Sequence, residues 1–248
     1  MLLWHFSFIT AASAIHNRMH LPWLKPQDPF PPVSQALPEP DGLLAAGADL
    51  SPARLLNAYQ HGIFPWYSEG EPILWWSPAE RCVLYPQHFH CSRSLRKRDR
   101  SGQFRVTTNQ AFADVMHDCG ATRESTWITD DMFAAYCQLH TLGWAHSVEV
   151  WQDQKLVGGV YGIAIGKVFF AESMFSLATD ASKIALLYLC RALASLDFHL
   201  IDCQMETSHL LSLGAVCINR EQFQQALADA QPPLPLAAET LANSLANA

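Results

Sequence analysis

The stretch from His146 to Gln204 restricts the fold more than any other. "HSVEVWQ", "KLVGGVYGIAIG" and "KVFFAESMF" are rich in β-branched and aromatic residues and are separated by short turns, so they read as three tightly joined strands. A long apolar run follows, from Asp180 to about Leu196, and reads as a helix with Asp180 as its N-cap. "HLIDCQ" then reads as a buried strand and "SHLLSLG" as a short helix. The order β-β-β-α-β places the C-terminal part in the α+β class.

Upstream the pattern is less regular. Residues 21–40 hold seven of the fifteen prolines, which excludes a regular helix or a central strand and leaves an extended surface segment. Ser51 followed by Pro52 marks a helix start, and Leu55, Leu56 and Tyr59 give it an apolar stripe that stops at Gly62. Short strands are expected near 73–76, 81–85 and 104–107. Helices are expected near 92–98, 109–119 and 130–142, the last opened by Thr129 and closed by Gly143. The expected division is a spurious or disordered extension over 1–20, a small N-terminal α/β domain over 21–80, a catalytic domain over 81–230 and a flexible tail over 231–248. "MLLWHFSFITAASA" imitates a signal peptide but lacks a basic n-region and is too short to span a membrane, so translation from Met19 is expected.

Composition removes several function classes. The net charge of -7 argues against a broadly basic protein that coats nucleic acid. The seven cysteines form no C-x-x-C pair and read as reduced thiols of a cytosolic protein, not as a zinc site. No metal is expected, since His88 and His90 are too few. G-x-S-x-G, Walker, H-E-x-x-H and G-x-G-x-x-G motifs are all missing.

Two features carry chemistry. Asp202 and Gln204 stand two apart, which on a strand gives them one face, and Glu172 lies late in the preceding strand. Such a group orients an amine or forms a satisfied polar cluster, and the residues alone leave both readings open. In "SRSLRKRDR", Arg93, Arg96, Lys97, Arg98 and Arg100 supply five of the sixteen basic residues. The run is either a solvated helix face or a phosphate contact. The rings of "GIFPWYSEGEPILWWSP" lie close by, and a basic run with rings suits single-stranded nucleic acid.

A strand hairpin, a long helix and a further strand resemble the acetyltransferase (GNAT) arrangement. There, a glycine-rich turn before the helix holds the pyrophosphate of acetyl-CoA on its backbone N–H groups. Here that turn reads "SLATDASKIA" and has no glycine, which indicates a different acyl donor.

"DGLLAAGADLSPARLLNAYQHGIFPWYSEGEPILWWSP", "STWIT", "AHSVEVW", "LVGGVYG", "AESMFS", "ASKIALL" and "LIDCQ...SHLLSLGA" together resemble the leucyl/phenylalanyl-tRNA–protein transferase family, from about Trp23 to about Ala228. The resemblance implies transfer of Leu or Phe (or Met) from charged tRNA to the α-amine of proteins beginning with Lys or Arg, which creates an N-degron. It implies an acetyltransferase-like C-terminal domain, no cofactor, no membrane, a cytoplasmic monomer, and Leu-tRNA and Phe-tRNA as partners. By resemblance, Trp66 and Trp127 line the site of the tRNA 3′-terminal adenosine and Tyr59 supports it. Asp202 polarises Gln204, which orients the amine, and Glu172 is the second carboxylate. Met174, Val160, Leu186 and Leu189 form the amino-acid pocket. The basic run from Arg93 to Arg100 holds the tRNA backbone.

The sequence departs from the family at Val160, commonly Met, at Ala171, commonly Gly, and at Glu206 and Thr207, commonly Leu and Asn. Acceptor preference is the property these put in question. His209 is retained, in a helix-capping or a catalytic role. The alternatives are another aminoacyl-tRNA-dependent transferase with a different acceptor, such as a peptidoglycan-type ligase, an acyl-CoA N-acetyltransferase, a silent tRNA-binding module, and a hydrolase built on Cys203 and His209.

Overall fold

The computed structural model describes residues 21–122 and 126–246. The reading of the first eighteen to twenty residues lies outside them.

The N-terminal part forms a four-stranded sheet in the order β1-β2-β4-β3. Its strands are β1 (Trp23–Leu24), β2 (Leu43–Gly47), β3 (Phe64–Pro65) and β4 (Leu74–Trp76). The proline-rich segment contributes only the two residues of β1, at the sheet's edge, as its missing N–H donors require. Helix α1 (Pro52–Gln60) starts at Ser51, whose hydroxyl accepts from the Arg54 N–H at 3.4 Å. Arg54 then ties the proline-rich segment down. Its guanidinium donates to the carbonyls of Lys25 at 3.3 Å, Asp28 at 2.8 Å and Pro26.

A seven-stranded sheet forms the centre of the molecule, in the order β11-β5-β10-β9-β8-β7-β6. Its strands are β5 (Glu80–Leu84), β6 (Arg105–Thr108), β7 (Ala145–Gln152), β8 (Lys155–Ile165), β9 (Val168–Ser176), β10 (Leu200–Asp202) and β11 (Val216–Asn219). The three strands read from "HSVEVWQ" onward are β7, β8 and β9, antiparallel neighbours. Helix α5 (Ala181–Ser195) carries the chain back, so β10 lies parallel to β9. A parallel neighbour needs such a crossover.

Two apolar cores cover the two faces. On one face, the N-terminal sheet and α1 pack with α3 (Phe112–Ala121), α4 (Asp130–Thr141) and α7 (Arg220–Asp229). On the other, α5 packs with α2 (Arg93–Asp99), α6 (Ser208–Ser212) and α8 (Ala238–Ala246).

Two expectations are corrected here. Asp180 precedes α5, but its side chain caps nothing; its backbone is left-handed, with φ 65°, and its carboxylate accepts from Arg98 Nε at 3.1 Å and Lys183 Nζ at 2.9 Å. The Ser176 hydroxyl accepts from the Ser182 N–H instead, at 3.2 Å. The segment 231–248, expected as a flexible tail, contains α8. Leu241 and Leu245 are buried against α5, and the Ser244 hydroxyl donates to the Ala192 carbonyl at 2.9 Å. Just before α8, the Leu234 carbonyl accepts from the Gly166 N–H at 2.9 Å. At Gly166 a Cβ would lie 2.0 Å from the Ala230 carbonyl oxygen, so this approach requires glycine.

Candidate active site

Gly162 on β8 has no room for a Cβ, which would stand 2.1 Å from the Phe170 carbonyl oxygen. Beside it the register slips. Tyr161 pairs with Ser173 and Gly162 with Ala171, so Glu172 is the extra residue of a β-bulge. The bulge turns Glu172 toward α1 and α4. There the Tyr136 hydroxyl donates to Glu172 Oε2 at 3.2 Å, and the Tyr59 hydroxyl bonds the Tyr136 hydroxyl. Both tyrosines are fully buried.

The pairing of β9 with β10 covers only Leu200–Asp202, opposite Val168–Phe170. Beyond Phe170 no described strand pairs with β9 on that side. Asp202 ends β10, and Gln204 follows in a left-handed conformation, with φ 56°. The Gln204 N–H donates to Asp202 Oδ1 at 2.9 Å. From the other side, the Cys82 N–H donates to the Gln204 carbonyl at 3.1 Å, and the Cys82 carbonyl accepts from the Cys203 N–H at 2.9 Å.

Asp202 is completely buried, and so is its partner Arg81 on β5. Arg81 Nε donates to Oδ1 at 2.8 Å and Nη2 to Oδ2 at 2.7 Å. Nη1 donates to the Gly62 carbonyl at 3.0 Å, and the guanidinium lies over the rings of Phe64 at 4.8 Å and Phe223 at 4.5 Å. Removing one partner from such a pair strands a buried charge and costs about 3–5 kcal/mol.

Glu172 is pushed up from 4.5 to about 8. Burial is the main cause. The Tyr59 hydrogen bond opposes it, the Asp202 charge adds to it, and Tyr136 and Arg81 pull the other way. Burial thus favours the protonated form of Glu172 at neutral pH. The Gln204 amide lies between Glu172 and the carbonyls of Ala171 and Cys203, and which of its ends faces which follows from the hydrogen bonds. With its nitrogen toward Glu172, Nε2 stands 3.5 Å from Oε1. Turned over, the nitrogen donates to the Ala171 carbonyl at 3.0 Å and the Cys203 carbonyl at 3.2 Å, and the amide oxygen faces Glu172. The second orientation satisfies the amide nitrogen and serves a protonated Glu172; the first serves an ionised one.

The structure thus brings Glu172, Asp202 and Gln204 together, but not by the expected route. Strand alternation does not align Asp202 with Gln204, because β10 has already ended. Asp202 also does not touch the Gln204 amide; it accepts the backbone N–H and is otherwise held by Arg81. Arg81 and Tyr136 were not singled out from the sequence. Arg81 carried a signal, a cation leading the apolar run Cys82–Leu84, where burial demands an anion. Tyr136 carried none beyond its place on the buried stripe of α4.

Val160 and Met174 are cross-strand partners, and Leu186 and Leu189 on α5 belong to the same apolar cluster. This cluster lies on the face opposite Glu172, and Met174 is only partly buried. Cys203 is buried in that cluster too, where burial holds its thiol well above the ordinary value.

Trp66 and Trp127 are half-buried on the N-terminal face. Their segments are tied together by the hydroxyls of Tyr67 and Thr129, 3.4 Å apart. Trp66 leans its ring edge-on against Trp76, with centroids 5.5 Å apart. Tyr59 lies beneath this face, on the buried stripe of α1. It is fully enclosed and has no face to offer a base, so its part in the site is played by its hydroxyl.

On α2, Arg93, Arg96, Lys97 and Arg100 are exposed, whereas Arg98 is half-buried against Asp180. Among the described residues, Arg98 is thus the one of these five cations engaged by a carboxylate. Thr207 caps α6, accepting from the Leu210 N–H at 3.1 Å, so the capping role weighed for His209 belongs to Thr207. Glu206 is exposed and accepts from the Cys217 thiol at 3.0 Å. Among the described residues no helix is long and apolar enough to cross a membrane.

Comparison with known proteins follows from this geometry. The family model described as leucyl/phenylalanyl-tRNA protein transferase matches residues 83–228, and that of the family's N-terminal domain matches 48–79. The leucyl/phenylalanyl-tRNA–protein transferase of Cellvibrio japonicus (strain Ueda107) is 56% identical over 211 residues, covering 84% of this chain and 90% of the relative. That of Stutzerimonas stutzeri (strain A1501) is 58% identical over 212 residues, covering 84% and 94%. Among solved structures, the crystal structure of FemX aligns with a TM-score of 0.43 at 10% identity, over 73% of this chain and 71% of FemX. A GCN5-related N-acetyltransferase from Kribbella flavida aligns with a TM-score of 0.36 at 10% identity, over 66% and 60%.

Proposed function

Since the chain belongs to the leucyl/phenylalanyl-tRNA–protein transferase family, and is an aminoacyltransferase, we propose that it moves leucine or phenylalanine (or methionine) from charged tRNA to proteins beginning with Lys or Arg. The product is an N-degron, made in the cytoplasm. One observation supports this reading above the others. A buried, proton-holding carboxyl, Glu172, sits with the Gln204 amide where the sheet splits, and the apolar cluster of Val160, Met174, Leu186 and Leu189 lies across the sheet from it.

The chemistry needs little more. The aminoacyl ester is already activated, so no covalent enzyme intermediate is required. The α-amine nitrogen attacks the ester carbonyl carbon, the bond to the ribose oxygen breaks, and a peptide bond forms. An α-ammonium has a pKa near ~8, close to that of Glu172, so proton transfer between them is nearly balanced, the condition under which general-base catalysis works well. The freed ribose oxygen takes a proton in turn. The apolar cluster receives the donor side chain. Its small discrimination, about 1–3 kcal/mol per methylene, suits a site that accepts Leu, Phe and Met. Trp66 and Trp127 stack on the 3′-adenosine, at ~1–3 kcal/mol per ring. We read the β7–β10 region with α5 as acetyltransferase-like, working without CoA. In its turn before the helix, Asp180 is left-handed, with φ 65°, and no glycine is present.

The test is a transfer assay with radiolabelled Leu-tRNA and peptides that differ only in the first residue. Label on Arg and Lys peptides is the expected result. Label on Asp or Glu peptides would keep the reaction and reject the acceptor, with the exposed Glu206 and the cap Thr207 examined first. Bound tRNA with no label on any peptide would overturn the reading.

A further inference from the structure

We propose that Arg81 is a positioning residue of the transfer reaction: by holding both oxygens of Asp202 it screens that charge from Glu172 and fixes the Gln204 turn, so that the proton is exchanged at Glu172 and not at Asp202. The proposal rests on the aminoacyl transfer described above.

Geometry carries the case. A carboxylate that relays a proton needs an oxygen open to the donor. Asp202 has both oxygens committed to one guanidinium, at 2.8 and 2.7 Å, and Oδ1 also accepts the Gln204 N–H at 2.9 Å. A guanidinium is a fixed cation near neutral pH, and this one faces the Asp202 carboxylate with two of its nitrogens. Glu172 is differently placed. Its Oε2 accepts from the Tyr136 hydroxyl and its Oε1 faces the Gln204 amide, so neither oxygen is committed to a fixed cation.

The Arg81 clamp also shapes Gln204 itself. A left-handed backbone is unusual for a residue other than Gly, Asn or Asp. It is held here by the Asp202 carboxylate on one side and by Cys82 on the other. Both holders depend on β5, the strand that bears Arg81. Arg81 acts through Asp202 and touches neither donor nor acceptor in this arrangement.

The charges around Glu172 come from every element packed on it. Tyr136 on α4 donates to it with Tyr59 on α1 bonded behind, Asp202 on β10 repels a second negative charge, and Arg81 on β5 favours one. Tyr161 on β8 stands behind Tyr136, with ring centroids 6.1 Å apart. Removing the Arg81 charge therefore makes Glu172 harder to ionise, and removing the Asp202 charge makes it easier.

The experiment measures kcat for transfer from Leu-tRNA to an Arg-initiated peptide, at saturation, across pH 6 to 9.5. The variants are Arg81→Met, Asp202→Asn, the double variant and Glu172→Gln. The acceptor amine titrates in all of them alike, so differences between variants report on the enzyme. The expected acid limb moves up by about one pH unit or more in Arg81→Met and down in Asp202→Asn. In the double variant it returns toward the wild type. With Glu172→Gln in the background, neither substitution moves it. The Kd for tRNA stays within about threefold throughout, as it does when transition-state interactions alone are lost.

A pH-independent loss of kcat in both single variants would overturn the proposal and leave Arg81 as structural. Full wild-type transfer by Glu172→Gln would overturn it as well. If Arg81→Met fails to fold, Asp202→Asn, nearly the same shape, still decides the sign. A direct titration separates this proposal from the transfer reading. Carboxyl NMR of Glu-labelled protein without tRNA, with the Glu172 signal assigned by its loss in Glu172→Gln, should show the same opposite shifts even if no peptide is ever labelled. Unmoved titration in Asp202→Asn would reject the charge coupling outright.

Discussion

A carboxyl buried away from water keeps its proton to a pH at which the unfolded chain has released it, even where neighbouring hydroxyls favour its charge. For Glu172 the interval runs from 4.5 to about 8. The folded protein binds more protons than the unfolded chain throughout this window, so the stability this group contributes is full below about pH 4.5 and is lost as pH rises through about 8. Glu172→Gln cannot ionise and should remove that decline. The Tm of the variant relative to wild type is expected to climb with pH across this window, and a difference that stays flat would count against a buried, titrating Glu172. At this scale the sequence was informative where a polar residue interrupted an apolar strand: Glu172, Asp202 and Gln204 stood out for that reason. It was silent on Tyr136, because a tyrosine on a helix stripe looks the same whether or not a carboxylate waits across the core. It placed Tyr59 on the apolar stripe of α1, where the ring is sealed in, but gave no sign that its hydroxyl meets that of Tyr136.

Among elements, those defined by local pattern were legible. The alternation of β7 to β9, the apolar run of α5, and the caps Ser51 and Thr129 all stand as read. Helix α8 was missed because its two core contacts, Leu241 and Leu245, are diluted by alanines and preceded by prolines. Burying each leucine is worth about 1.5–3 kcal/mol, enough to hold a nine-residue helix that would not form alone. Helix α2 shows what residue counting cannot do. Five basic residues were visible, yet only the fold reveals that Arg98 is paired with Asp180 at 3.1 Å. If α2 contacts the tRNA backbone, replacing Arg93, Arg96, Lys97 and Arg100 with Ala should lower the slope of log K against log salt by up to about 4 × 0.9. Arg98→Ala should lower stability more than it changes that slope. A quadruple variant with the wild-type slope would return α2 to a solvated face.

For the whole molecule, the division at residue 80 was drawn from a change of pattern. The structure shows that the N-terminal sheet, α1 and the inner face of the large sheet share one continuous apolar core, from Leu24 to Phe175 and on to Ala230. Arg81 strengthens the union, since it bonds the Gly62 carbonyl at 3.0 Å and lies over Phe64 while holding Asp202. Parts that share a core unfold together. Thermal unfolding followed by tryptophan fluorescence and by far-ultraviolet circular dichroism should give coincident transitions. Trp66, Trp75 and Trp76 report the N-terminal sheet, and the helices report the remainder. Two separated transitions would restore the smaller unit as independent.

The three paired residues that join β9 to β10 have a mechanical meaning. Everything on the β10 side, namely β5, β11 and the Gln204 turn, meets the β9 side of the sheet along a seam only three residues long. A guest that enters past Phe170 and Asp202 breaks no strand pairing to do so. The sheet is already parted there, like a zip left open above its last teeth. The bulge at Glu172 lies just inside that gap, so a guest wedged between the halves would meet that carboxyl first.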